Sequence, residues 1–134
     1  MAALIDTSVF VAIETNESAA PWCRAALNEQ PAVFLNPIVL SELLLGVELA
    51  TSVAQALSRR ATYDWASTLA CLNVEAETAA VHARMAAALK RRGTKRARQS
   101  DLWIAASALQ HGLTVLTCNG RDYADIDGIT VLSP

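Results

Sequence analysis

Four acidic residues fall where a buried apolar segment meets a polar one, and that placement is where chemistry would begin. Asp6 directly follows the apolar run Ala2-Ala3-Leu4-Ile5. Asp101 opens a helical pattern beside Leu102-Trp103-Ile104-Ala105-Ala106, and Asp122 lies a few residues after the expected strand 113–117, with Asn119 between. Glu42 lies within a helical pattern that begins at Pro37. Ile38 and Val39 sit a turn before it, Leu45 and Gly46 a turn after, and Leu49 two turns after, so its side chain is predicted to project with the core-facing stripe. A buried carboxylate without a partner is costly and must be neutralised or find a cation.

If these acids share one edge of a fold, each ionised pair costs roughly 4 kcal/mol at about 4 Å and an effective dielectric near 20. A divalent cation relieves that repulsion. An all-oxygen donor set suits Mg²⁺ or Mn²⁺ rather than Zn²⁺. Mg²⁺ keeps waters and binds substrate phosphates, which points to phosphodiester hydrolysis with an activated water and a stabilised leaving oxygen. Each acid also has a plainer reading. Asp101 can cap its helix, Asp6 can be a capping or turn acid, and Asp122 can be an ordinary loop residue. Asn119 can be the first residue of an Asn-Gly turn. Glu42 can pair with an arginine. Their common placement, rather than any one of them, carries the metal reading.

The elements that must position these groups can be traced along the chain. Strands are predicted at residues 2–5, 32–35, 71–74, 113–117 and 129–132, the third of them weak. Helices are predicted over 7–15 with Thr7 or Ser8 as cap, 18–29 after the Asn16-Glu17-Ser18 break, 37–50 with Asn36 as cap and Pro37 in the first position, and 53–69. Two more follow, over 75–92 with Gly93 as the stop and from a cap at Ser100 or Asp101 to His111-Gly112. Short apolar strands alternating with helices imply a three-layer α/β/α sandwich around a short, mostly parallel sheet. In such sheets functional groups gather beyond the C-terminal ends of the strands, which is where Asp6 and Asp122 would lie.

The 134 residues suit one domain, residues 1–134, large enough to support its own core. Hydrophobic residues at 53% against 18% charged exclude a disordered chain. No apolar run is long enough to span a bilayer, and the N-terminus lacks a basic start, which predicts a cytoplasmic protein with no membrane role. Cys23, Cys71 and Cys118 are widely spaced and odd in number, which suits buried thiols rather than a disulfide framework or a zinc site.

At the acidic positions the sequence resembles the PIN-domain ribonucleases, specifically VapC-type toxins of type II toxin–antitoxin systems. Four segments carry the resemblance across nearly the whole chain: Leu4-Ile5-Asp6-Thr7-Ser8-Val9, Ser41-Glu42-Leu43-Leu44-Leu45-Gly46-Val47, Ser100-Asp101-Leu102-Trp103-Ile104-Ala105-Ala106 and Leu116-Thr117-Cys118-Asn119-Gly120-Arg121-Asp122-Tyr123. The resemblance implies that Asp6, Glu42 and Asp101 are the first three metal-site acids and Asp122 the fourth, with Asn119 as a contributor. It matches Thr7 to the hydroxyl after the first acid and Thr117 to the one that ends the fourth strand. It also implies an Mg²⁺- or Mn²⁺-dependent endoribonuclease acting as a toxin, a homodimer, an RNA substrate and a cognate antitoxin protein that blocks the acidic site. The expected cleavage uses water rather than a protein nucleophile and leaves a 5′-phosphate and a 3′-hydroxyl.

Net charge is −2, so attraction for RNA must be local. Lys90, Arg91, Arg92, Lys95, Arg96 and Arg98 supply six of the eleven basic residues, and Lys95, Arg96 and Arg98 directly precede Asp101 as candidate phosphate contacts. The plain alternative is a solvated helix end with cations at its C-terminus. Trp103 suits core packing better than base stacking, and neither His82 nor His111 has a spaced partner that would make it a general base.

Other classes fare worse. A haloacid-dehalogenase-like phosphatase wants a second Asp two residues after the first, where Ser8 stands. A phosphate-binding loop wants glycines after the first strand, and there are none. A receiver-like module wants a lysine late in the chain, beyond Lys90 and Lys95. A catalytically inactive PIN-like binding module is the remaining alternative.

Overall fold

The computed structural model describes residues 2–94 and 97–134. Lys95 and Arg96, two of the candidate phosphate contacts, lie outside the described residues. The elements follow the order β1 (Ala3–Ile5), α1 (Thr7–Glu14), α2 (Ala20–Glu29), β2 (Val33–Leu35), α3 (Pro37–Glu48) and α4 (Val53–Ala66). They continue with β3 (Ala70–Cys71), α5 (Ala76–Arg92), α6 (Gln99–His111), β4 (Thr114–Leu116), a 3-10 turn (Gly120–Tyr123) and β5 (Thr130–Leu132).

The five strands form one parallel sheet in the order β3-β2-β1-β4-β5. Ala3 to Ile5 of β1 pair with Thr114 to Leu116 of β4. The chain first moves from β1 outward to β3, then crosses back to β4 on the other side of β1. Right-handed crossovers therefore place α1–α4 on one face and α5–α6 on the other. The packing agrees, with α1 against α2 and α4, α5 against α6, and α6 against β1 and β4. The predicted α/β/α architecture is the one found. The strand order reverses between β1 and β4, so their C-terminal ends open a crevice that no crossover covers.

Burial follows this order. The central strands are buried throughout, because helices cover both faces. Each Leu or Ile there contributes about 1.5–3 kcal/mol relative to exposure. The edge strand β3 is only two exposed residues, shorter than the 71–74 expected, since one partner and one covered side give it little to bury.

Local signals account for most helix ends. Asn36 caps α3 by accepting the backbone N–H groups of Ile38 (3.1 Å) and Val39 (3.3 Å). Its side-chain amide donates to Ser107 Oγ (3.1 Å) and the Trp103 carbonyl (3.4 Å), both on α6. One buried asparagine thus fixes where α3 begins and ties it to α6. Gly93 and Gly112 end α5 and α6 with φ of 71° and 64°, a backbone region that side chains with a Cβ avoid.

Two expected caps differ. Thr7 and Ser8 lie inside α1, and Asp6 occupies the N-cap position without capping, because hydroxyl donors hold its carboxylate. Asp101 is the third residue of α6, not its cap. Arg98 takes the cap position and donates its N–H to Asp101 Oδ2 (3.3 Å). The apolar stripe of α3 is also corrected. Val39 and Leu43 enter the core, whereas Leu45 is 56% and Leu49 65% exposed.

Candidate metal and phosphate site

Asp6 leaves β1 at the crevice, and its carboxylate is organised from two directions. Thr117, just beyond β4, and Ser8, in the first turn of α1, both donate to Asp6 Oδ2 at 2.7 Å. The two hydroxyls lie 3.2 Å apart. Ser8 Oγ also accepts the Cys118 N–H (3.0 Å), and Thr117 Oγ1 accepts the Asn119 N–H (3.0 Å). Both hydroxyls are thereby oriented to donate toward Asp6. Because both reach Oδ2, Oδ1 takes part in neither bond.

Glu42 comes from α3 and is half-buried rather than turned into the core. Thr7 donates to its Oε1 at 2.7 Å, so a hydroxyl rather than a buried arginine holds it. The helical spacing placed it one row too far inward. Only the neighbouring Leu43 is buried, while Glu42 projects to the rim of α1, where a charged head can stay solvated.

Asp101 is nearly fully buried at the start of α6. Burial lifts its carboxyl above the usual carboxylate range, and the charges of Asp6 and Asp122 push in the same direction. The Arg98 backbone N–H and guanidinium oppose that rise, the guanidinium Nε standing 3.5 Å from Asp101 Oδ2. In turn Asp101 first, with smaller contributions from Glu42 and Asp122, raises the Arg98 guanidinium. Arg98 therefore senses all three acids.

Asp122 stands in the 3-10 turn after β4. It lines a cavity of about 670 Å³ with Arg98, Asn119 and Arg121. A second cavity of about 390 Å³ is lined by Asp6, Thr7, Ser8, Glu17, Glu42 and Arg98. Arg98, Cys118 and Asn119 border both, so the two form one divided crevice. Below it the Tyr123 hydroxyl is buried close to Asp6, and among the described residues it has no partner in full hydrogen-bond geometry. Burial, then the charges of Asp6 and Asp101, drive its acidity down and keep it protonated.

The crevice thus gathers Asp6, Thr7, Glu42, Arg98, Asn119 and Asp122, with Thr117 and Asp101 buried beneath it. The acids flank the space rather than meeting at a point. Among the described residues no group of three His, Cys, Asp or Glu side chains is arranged to hold one ion by itself. Two further residues form the site beyond those the sequence points to. Ser8, a cap candidate by sequence, instead orients Asp6 with its side chain. Glu17 belongs by sequence to a helix break. The left-handed turn at Asn16 (φ 51°) directs the chain after α1 back along the crevice and brings Glu17 to its wall.

The cysteines also differ from expectation. Cys71 is exposed, and Cys23 on α2 lies 3.1 Å, sulfur to sulfur, from Cys118. Burial, followed by the Cys23 contact, pushes the Cys118 thiol up to about 12. Trp103 stacks on His82 at 3.9 Å between α6 and α5, a packing role as expected.

The PIN-domain family model matches residues 3–129. The chain belongs to the PIN-domain family. It is 34% identical to ribonuclease VapC5 of Mycobacterium tuberculosis, over 95% of this chain and 89% of that protein. It is 32% identical to ribonuclease VapC1 of Rickettsia felis, over 99% and 96%. These relatives place it among the VapC-type PIN domains. The crystal structure of VapBC-5 from Mycobacterium tuberculosis, a member of the VapBC family of toxin–antitoxin systems, superposes with a TM-score of 0.82 at 29% identity. That match covers 99% of this PIN domain and 98% of the other chain. DNA-bound VapBC from Salmonella typhimurium gives 0.81 at 27%, over 99% and 98%. Among the described residues of this PIN domain, no helix is long and apolar enough to cross a membrane.

Proposed function

We propose that this PIN domain is an endoribonuclease that needs Mg²⁺ or Mn²⁺, and that it acts as the toxin of a toxin–antitoxin pair. The observation that carries the metal requirement is the state of Asp101. A nearly buried carboxylate sits in the field of Asp6 and Asp122 with, among the described residues, one largely exposed arginine beside it. That is an excess of negative charge at one edge, which a divalent cation would balance. The donors are all oxygen, as Mg²⁺ and Mn²⁺ prefer. Asp6 and Asp101 are the residues to hold the ion, with Glu42, Asp122 and Asn119 at the rim and water or phosphate oxygens completing its shell. Such flanking geometry suits Mg²⁺, which keeps several waters.

Bound there, the ion would supply a Lewis acid for the scissile phosphate and a means of lowering the pKa of a water. The chain's own residues do the positioning. Ser8 and Thr117 fix the Asp6 carboxylate, Thr7 fixes Glu42, and Arg98 offers its exposed guanidinium to the RNA backbone at the mouth of the crevice. The VapC names of its relatives support the ribonuclease reading, and the VapBC complexes among its structural neighbours support an antitoxin partner.

Purified protein free of antitoxin should cleave RNA with Mg²⁺ or Mn²⁺, lose activity in EDTA, and lose it in Asp6→Ala with its fold intact. Persistent cleavage by Asp6→Ala would overturn the site. Arg98→Gln should behave differently. Losing a cation at the rim should raise KM for RNA about threefold to tenfold, because one phosphate contact goes. The same change should tighten Mn²⁺ binding, because the acids lose their competing charge. A calorimetric titration showing weaker Mn²⁺ binding would refute that account.

A further inference from the structure

Cys23 and Cys118 are 95 positions apart in sequence, yet their sulfurs are 3.1 Å apart. Only about one ångström separates that distance from an S–S bond of about 2.05 Å. Cys23 is buried on α2, while Cys118 is half-buried and lines both halves of the acidic crevice. A small oxidant entering the crevice therefore reaches Cys118 first and finds a second thiol directly behind it. The backbone of Cys118 is part of the site's scaffold, since its N–H is held by Ser8 Oγ, the hydroxyl that donates to Asp6. Asn119 and Asp122 follow on the same loop.

We propose that Cys23 and Cys118 form a reversible regulatory disulfide, closed by a low-molecular-weight disulfide, that draws the loop after β4 toward α2 and disables the crevice. The exchange balances within the named reactants. The Cys118 thiol, held mostly protonated at neutral pH and so slow to react, loses its proton, and its sulfur attacks one sulfur of the small disulfide, releasing one small thiolate. Cys23 then loses its proton and attacks Cys118 sulfur, expelling the second. Two protein thiols are oxidised and one small disulfide is reduced to two thiols. The exposed Cys71 stands apart from the pair and supplies an internal control.

The test uses the full chain carrying Cys71→Ser, equilibrated in glutathione buffers from reducing to oxidising. The expected product is a monomer lighter by two hydrogens, with no glutathione adduct and no thiol alkylated after unfolding. Dithiothreitol should restore it. Its thermal midpoint should exceed that of the reduced form, since the bond closes a long loop in the unfolded chain. In Cys71→Ser with Cys23→Ala the pair cannot close, and Cys118 should remain a thiol or carry a glutathione adduct. Two alkylatable thiols, or a stable adduct, in Cys71→Ser under conditions that fully modify Cys71 in the parent chain would overturn the proposal.

The regulatory half rests on the nuclease reading. Cleavage by Cys71→Ser should fall at least tenfold on oxidation and return on reduction, with the adduct-free fraction of the Cys23→Ala form, identified by mass, indifferent to the oxidant. Unchanged cleavage by a fully closed, otherwise active protein overturns the control of the crevice. A protein that cleaves no RNA in either state indicts the nuclease reading instead, and the mass measurement still decides the bond.

Discussion

Asp101→Asn should melt at a higher temperature than the parent protein in metal-free buffer at pH 7, while losing about a thousandfold in RNA cleavage. The two effects share one cause. Asp101 is buried among other acids, and its folded-state carboxyl is raised above the ordinary carboxylate value. A raised acid means that ionisation is penalised in the folded state. That penalty is absent at pH well below the ordinary carboxylate range, grows as pH passes through that range toward the raised folded value, and is complete above it. A neutral amide escapes the penalty and can still accept the Arg98 N–H through its carbonyl oxygen. The Arg98 side chain offsets little of the penalty, being 69% exposed.

A gain of about 1 kcal/mol, or about 3–4 °C, is expected for a chain of this length. The catalytic loss, about 4 kcal/mol in barrier, reflects a lost charge at the ion. Melting curves from pH 4 to pH 7 in EDTA check the first effect, and the advantage of the variant should shrink toward acid. Added Mg²⁺ should raise the parent's midpoint and leave the variant's nearly unmoved. A variant that melts below the parent at pH 7 in EDTA would show that Asp101 is a net structural asset, and the charge-excess argument would fall with it.

Thr117→Val should have the next largest effect. The side chain is fully buried and isosteric with valine, so packing is preserved and only the hydroxyl is lost. That hydroxyl donates to Asp6 Oδ2 and accepts the Asn119 N–H. Its removal leaves that N–H without its acceptor and takes from Asp6 one of the two hydroxyls, Ser8 and Thr117, that hold its Oδ2. A destabilisation of about 2 kcal/mol, or about 7 °C, is expected. Cleavage should fall about tenfold to a hundredfold because Asp6 is less firmly aimed, the usual scale for losing a group that orients a metal ligand. Thr117→Ser keeps the hydroxyl and should recover most of the activity despite the lost methyl. If serine recovers no more than valine does, Thr117 serves packing rather than the orientation of Asp6.

The behaviour of the remaining polar groups follows from the same edge. Asn36 acts at one remove: by capping α3 and bonding to α6 it fixes the spacing between the helix that carries Glu42 and the helix that carries Asp101. The exposed leucines of α3 and the exposed Val53 and Leu57 of α4 lie outside this crevice's polar lining.

Residue order by itself determined the strands, the helices and their ends wherever a local rule applied. Asn36-Pro37 starts α3, Gly93 and Gly112 stop α5 and α6, and short runs dominated by apolar residues mark the two central strands, because caps, left-handed glycines and two-sided burial are decided by neighbours in the chain. The acids could be shortlisted for the same reason, since each borders an apolar element. What only the tertiary structure decided was which atom meets which. Glu42 was expected inside the core because helical spacing fixes a row but not how far that row turns from the sheet; the packing of α3 against α1 settled it on Thr7. Ser8, Glu17 and the Cys23–Cys118 pair carry no signal in sequence, because their partners are brought to them by the reversal of strand order between β1 and β4. That reversal is a property of the whole sheet, and it places Asp6 and Thr117, 111 positions apart, within a hydrogen bond of each other.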